Sequence, residues 1–199
     1  MIWPPIIAIL RGVTPSEVAD IGHALVNAGI RALEVPLNSP SPFDSIARLV
    51  DAVGGDALVG AGTVLSVDDV DRVADAGGRL VLSPNFNADV VQRTRERGLL
   101  SMPGVGTPSE GFAALAAGAD ALKLFPAELL GPAVVKAWRA VFPAGTPMYS
   151  VGGIATDNMA AYGVAGATGV GIGSALYTPG LSAEQVTRRA RALLERWPV

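Results

Sequence analysis

The chain has 199 residues, of which 50% are hydrophobic. That is enough to bury one core and argues for a single domain over residues 1–199. Its 15 basic and 18 acidic residues leave a net charge of -3, too little to gather nucleic acid or an anionic membrane, so an anionic ligand must be met by a local site. Cysteine is absent and His23 is the single histidine, which excludes disulfide scaffolds, thiolate chemistry, His-based metal cages and Ser-His triads. A site using neither metal nor cofactor is expected.

The first apolar run, Ile6 to Leu10, ends at Arg11. It is too short for a signal-peptide core or a membrane span, so a cytoplasmic protein is expected. Further along, helix-length segments repeatedly end at a glycine followed a few residues later by a short apolar run. The glycines are Gly29, Gly77, Gly98, Gly118 and Gly166. Helix starts repeat as well: Thr14-Pro15-Ser16-Glu17 and Thr107-Pro108-Ser109-Glu110 are the same tetrapeptide, a capping box with proline at the first helical position, and Ser182 with Gln185 marks the last helix.

Period and punctuation predict strands beginning near Ile6, Ala32, Leu58, Leu80, Leu99, Ala121, Pro147 and Gly169, each followed by a helix. Such alternation requires parallel pairing with right-handed crossovers, and eight βα units can close into a (β/α)8 barrel. An open doubly wound sheet is the competing architecture. Arg11-Gly12-Val13-Thr14 stands where a dinucleotide-binding G-x-G-x-x-G would follow the first strand.

Two of these strands carry a charge where a doubly covered parallel sheet should be apolar. In Ala32-Leu33-Glu34-Val35-Pro36-Leu37, alternation sends Leu33, Val35 and Leu37 to the helices and Glu34 to the barrel interior. In the same way Leu122 and Leu124 face out while Lys123 and Phe125 face in. Glu34 and Lys123 could be a buried ion pair. Alternatively, Lys123 is a desolvated neutral amine able to attack a ketone. Lys136, the only other lysine, reads as a solvated helix residue.

Strands seven and eight end in Val151-Gly152-Gly153-Ile154 and Gly171-Ile172-Gly173-Ser174. Barrels of this kind hold phosphate in those two loops, because positions without Cβ let backbone N–H groups approach the oxygens. Arg11, Thr63 and Ser83-Pro84-Asn85-Phe86 close other strands. Arg11 can fork a carboxylate and Thr63 can exchange protons with a carbinolamine, although each taken alone is equally a capping or surface residue. His23 reads as an exposed helix residue, and Trp3, Trp138 and Trp197 as packing. The acidic group Asp68, Asp69, Asp71 and the basic group Arg93, Arg95, Arg97 read as complements to helix dipoles.

The chain resembles the class I aldolases for 2-keto-3-deoxy-6-phospho sugar acids. The likeness runs from Ala8-Ile9-Leu10-Arg11-Gly12 to Gly173-Ser174-Ala175-Leu176-Tyr177, and its specific pieces are Leu33-Glu34-Val35-Pro36-Leu37-Asn38-Ser39-Pro40, Gly60-Ala61-Gly62-Thr63-Val64-Leu65, Leu122-Lys123-Leu124-Phe125-Pro126 and Val151-Gly152-Gly153. The resemblance implies Lys123 as the Schiff-base lysine and Glu34 as the proton carrier. It also implies a pyruvate pocket with Thr63, Pro84 and Phe125, a phosphate site at Gly152, Gly153, Gly173 and Ser174, and a homotrimer. Gluconate-type members usually carry Arg four residues after the glutamate and Thr before the Gly-Gly pair; here those positions are Asn38 and Val151. The sequence is similar in both to galactonate-type members, with Arg11 taking the carboxylate role of the missing Arg. The gluconate-type reaction, a non-covalent phosphosugar isomerase and a non-catalytic sugar-phosphate-binding barrel are the alternatives.

Overall fold

A computed structural model describes residues 3–198. Its elements in chain order are β1 (Ile6–Ile9), α1 (Val18–Ala28), β2 (Ala32–Pro36), α2 (Pro42–Val53), β3 (Leu58–Gly62), α3 (Val67–Asp75), β4 (Leu80–Leu82), α4 (Ala88–Glu96), β5 (Leu100–Met102), β6 (Gly104–Val105), α5 (Pro108–Ala116), β7 (Leu122–Leu124), α6 (Ala127–Arg139), β8 (Met148–Val151), α7 (Met159–Val164), β9 (Gly169–Ile172) and α8 (Ala183–Arg196). All strand pairs are parallel, in the order β5-β4-β3-β2-β1-β9-β8-β7-β6.

β5 and β6 are the two halves of one stave, so the nine strands form the eight-stave wall of a (β/α)8 barrel. The break between them is Pro103, which has no N–H to offer a ladder. Its carbonyl still accepts the Lys123 N–H at 3.0 Å, and the Met102 carbonyl accepts the Ser83 N–H at 3.3 Å. Five strands begin at the residues the sequence predicts, and β5, β7 and β8 begin one residue later.

Alternation along the strands sorts their side chains into two cores. Ala8, Leu33, Val35, Val59, Val81, Leu122, Leu124 and Val170 pack against the helices. Ile7, Ile9, Ala32, Leu80, Leu82, Met102, Ala121, Tyr149 and Val151 fill the barrel interior, with Trp3 against Tyr149 at its floor. A parallel sheet covered on both faces buries every residue of β1, β2, β4, β7, β8 and β9.

The turn from helix to strand is made by glycine because the backbone there enters the left-handed region, closed to most side chains. Gly29 has φ 112° and donates to the carbonyls of Leu25 and Val26. The other four glycines of the repeat share its positive φ.

The two identical tetrapeptides behave differently. Thr107 and Glu110 close a full capping box on α5, as Ser182 and Gln185 do on α8. At the first copy the Glu17 carboxylate accepts from the Thr14 N–H and hydroxyl just as Glu110 does at the second, but the Glu17 N–H goes to the Thr14 carbonyl at 3.2 Å, not to its hydroxyl. Residues 15–17 form turns and α1 starts only at Val18. The acidic and basic groups on α3 and α4 also do more than complement dipoles. Asp71 accepts from Arg93 at 2.9 and 3.1 Å and from Arg97 at 2.6 Å, tying the two helices together. Among the described residues no helix is long and apolar enough to cross a membrane.

Candidate active site

Lys123 on β7 and Glu34 on β2 enter the barrel from opposite walls, with β1, β9 and β8 between their staves on one side. They are 6% and 2% exposed. Both face a cavity of about 510 Å³ at the C-terminal end of the strands, the end at which barrels carry their chemistry. Among the described residues neither takes part in an ion pair within 4.0 Å. Glu34 Oε2 is buried and has no hydrogen-bond partner, a costly arrangement for a structural carboxylate.

Burial dominates both acidities. Glu34 is pushed up to about 7 by desolvation, against the opposing pull of Lys123, Arg11 and the Gly62 amide. Lys123 is held below the usual lysine range by desolvation and the Arg11 charge, with Glu34 pulling the other way. In both groups burial works against the charged form, which lowers the cost of trading a proton between them. Lys123 Nζ also lies 4.8 Å from the Phe125 ring centroid.

Thr63 follows β3 with φ 58°, a conformation that a β-branched residue rarely adopts. Both of its neighbours are fastened. The Gly62 carbonyl accepts the Leu37 N–H at 2.8 Å, and Val64 donates to the Leu82 carbonyl at 3.1 Å. The Val64 carbonyl in turn accepts the buried Ser83 hydroxyl at 2.7 Å. The corner therefore holds Thr63 at the cavity wall despite its strain.

Arg11 lines the cavity, and its guanidinium donates to Asn38 Oδ1 at 2.6 Å. Asn38 itself is not part of the lining; its contact with the site runs through Arg11. Pro84, Phe125 and Val151 also line the wall.

The far end of the cavity is backbone. Gly152 and Gly153 have φ 109° and 66°, and Gly173 leaves open space where a Cβ would come no nearer than 3.9 Å to Ile9. Among the described residues no turn or loop hydrogen bond uses the N–H of Gly153, Ile154, Ser174 or Ala175. All four residues line the cavity. Unused amides on two loops that line one cavity are able to receive an anion.

Sequence reasoning missed Ile9, Ile154, Ala155, Gly171 and Ala175 in the lining. Ile9 and Gly171 sit two residues before Arg11 and Gly173, so alternation would have found them. Ile154, Ala155 and Ala175 have side chains without a chemical signature. Among the described residues no three His, Asp or Glu side chains are grouped to hold a metal ion.

A buried lysine, a buried carboxyl and two glycine-rich loops gathered at the C-terminal mouth of a parallel barrel are the pattern of a barrel enzyme. The chain belongs to the KDPG and KHG aldolase family, whose model matches residues 2–191, and is thereby a carbon–carbon lyase. It is 48% identical over 190 residues to the "Probable 2-dehydro-3-deoxy-6-phosphogalactonate aldolase" of Rhizobium meliloti (strain 1021), covering 96% of this chain and 90% of the relative. It is 44% identical over 193 residues to the 2-dehydro-3-deoxy-6-phosphogalactonate aldolase of Escherichia coli (strain K12), covering 97% and 94%. The solved structure described as "Native KDPGal structure" superposes with a TM-score of 0.95 at 43% identity, covering 98% of this chain and 97% of that one.

Proposed function

We propose that this chain cleaves 2-dehydro-3-deoxy-6-phospho-D-galactonate to pyruvate and D-glyceraldehyde 3-phosphate as a class I aldolase, with Lys123 as nucleophile and Glu34 as proton carrier. The observation that carries this reading is that the two buried groups share one cavity without pairing with each other. The names of the two relatives support the substrate.

Neutral Lys123 Nζ adds to the C2 ketone. Glu34, assisted by the Thr63 hydroxyl, gives the proton that lets the carbinolamine oxygen leave as water, and an iminium remains. Glu34, now ionised, takes the proton of the C4 hydroxyl. The C3–C4 bond breaks, its electrons flow to the iminium, and C4 leaves as the aldehyde. Glu34 returns the proton to C3 of the enamine, and water releases pyruvate from the lysine.

Arg11 receives the C1 carboxylate as a fork, while Pro84 and Phe125 pack the pyruvyl carbons. The phosphate rests at Gly152, Gly153, Gly173 and Ser174, and Val151 faces the C4 region. The whole chain acts as one cytoplasmic domain assembled as a homotrimer; for the assembly the support is the family resemblance, and light scattering tests it.

The decisive experiment is borohydride reduction in the presence of pyruvate, followed by intact mass and peptide mapping. The expected result is a stable adduct on Lys123 and none on Lys136. Folded protein without an adduct would remove the covalent step and leave the isomerase or binding-barrel reading.

A further inference from the structure

We infer that Asn158 is a positioning residue for the phosphate cradle, and through it sets how strongly the enzyme prefers a phosphorylated substrate; this rests on the cradle assignment made above. Asn158 precedes α7, outside the cavity lining. Its amide spans the loop after β8: Nδ2 donates to the Gly153 carbonyl at 2.7 Å, and Oδ1 accepts the Ala155 N–H at 2.9 Å. The two partners fix the orientation of the amide, since one can only accept and the other can only donate.

The consequence lies in what the clamp leaves over. It takes up the carbonyl that precedes Ile154 and the N–H that follows it, so the loop turns without using the N–H of Gly153 or Ile154. Gly152 and Gly153 both sit at positive φ, in a backbone region that glycine enters without steric cost. Without the clamp the loop could rotate about them, and the two amides would lose their common direction. Asn158 is half-buried and touches neither Lys123 nor Glu34 in any hydrogen bond. Its influence is therefore confined to the end of the cavity farthest in function from the imine.

The test compares Asn158→Ala with wild type in three readouts: kcat and KM for the phosphorylated substrate, competitive inhibition by inorganic phosphate, and exchange of pyruvate methyl protons with deuterated water. The last requires the imine but no phosphate. The expected result is a KM for the phosphorylated substrate raised about tenfold, inhibition by inorganic phosphate weakened by a similar factor, and pyruvate exchange within about twofold of wild type, the first two matching the loss of one or two hydrogen bonds. Asn158→Asp keeps the acceptor, loses the donor and adds a negative charge beside the cradle, so its KM rises further. It also serves if the alanine variant does not fold. Equal losses in exchange and in cleavage, or unchanged KM and phosphate inhibition, would overturn the inference while leaving the cradle in place. If wild type itself is indifferent to inorganic phosphate, the cradle assignment fails and this inference with it.

Discussion

The Cα of Gly62 faces the carboxyl of Glu34 so closely that a Cβ added there would overlap both carboxyl oxygens. Gly60, paired in register with Glu34, is equally closed, in its case by the Leu80 backbone. Gly62 thus makes a slot in the barrel wall for an interior glutamate, and Gly60 makes room for the backbone of the next strand. This explains Gly60-Ala61-Gly62 in a strand, a place where glycine is otherwise unfavourable.

Gly62→Ala is expected to separate activity from folding. Gly62 is not among the glycines at positive φ, so alanine suits its backbone, and the atoms that must move are the free end of a flexible side chain. Glu34 is then displaced by about the size of a methyl group. A misplacement of that size costs on the order of 100-fold in rate. The expected outcome is kcat down by about that factor with the thermal midpoint within a few degrees of wild type; a large fall in midpoint with kcat retained would contradict it.

The raised pKa of Glu34 links stability to pH with a definite sign. The folded value is about 7 against 4.5 for the unfolded carboxyl, so between them the native state keeps a proton that the unfolded chain has released. The contribution is complete below pH 4.5 and is lost as pH rises through about 7. Its size is on the order of 3 kcal/mol at 1.36 kcal/mol per pH unit. Denaturant unfolding of wild type and Glu34→Gln across this range should show the decline in wild type alone, with Glu34→Gln cleaving substrate orders of magnitude more slowly. Parallel pH profiles would mean that Glu34 is ionised in the folded protein.

Much of this was legible in the sequence because it follows from period and punctuation. A glutamate and a lysine among leucines fix the inward face of two strands, and the Gly-Gly and Gly-x-Gly clusters mark two loops. What was not legible depends on contacts between distant segments. The stave broken at Pro103 looked like one strand because apolar runs flank the proline. Thr14 and Thr107 carry identical tetrapeptides, yet only the surroundings decide that the first closes on Glu17 as a turn. Asn38 stands where gluconate-type members carry Arg, but the sequence does not show that its amide holds Arg11 from outside the lining.

Choice of sugar epimer is expected to turn on Val151, which is buried at the cavity wall on β8 and has no hydrogen-bonding side chain. Val151→Thr changes little volume and introduces one hydroxyl at the position where gluconate-type members carry Thr. The ratio of kcat/KM for the galactonate and gluconate epimers is expected to move at least about threefold towards the gluconate form, consistent with one hydrogen bond. Competition between the two epimers measures this directly; an unchanged ratio would place epimer selection elsewhere in the cavity.

Thr63 sets stability against activity at a single residue. At φ 58° a β-branched side chain is strained, and the bonds of Leu37, Val64 and Ser83 around it keep the corner from relaxing. Thr63→Gly removes the strain and the hydroxyl together, so the protein is expected to gain about 1 kcal/mol while kcat falls 10-fold or more. Thr63→Val removes the hydroxyl but keeps the branched shape and the strain. It should lose the same activity with no gain in stability. Unfolding and turnover measured on both variants separate the two contributions: if valine keeps wild-type turnover, the hydroxyl carries no proton and the strain is maintained for shape alone.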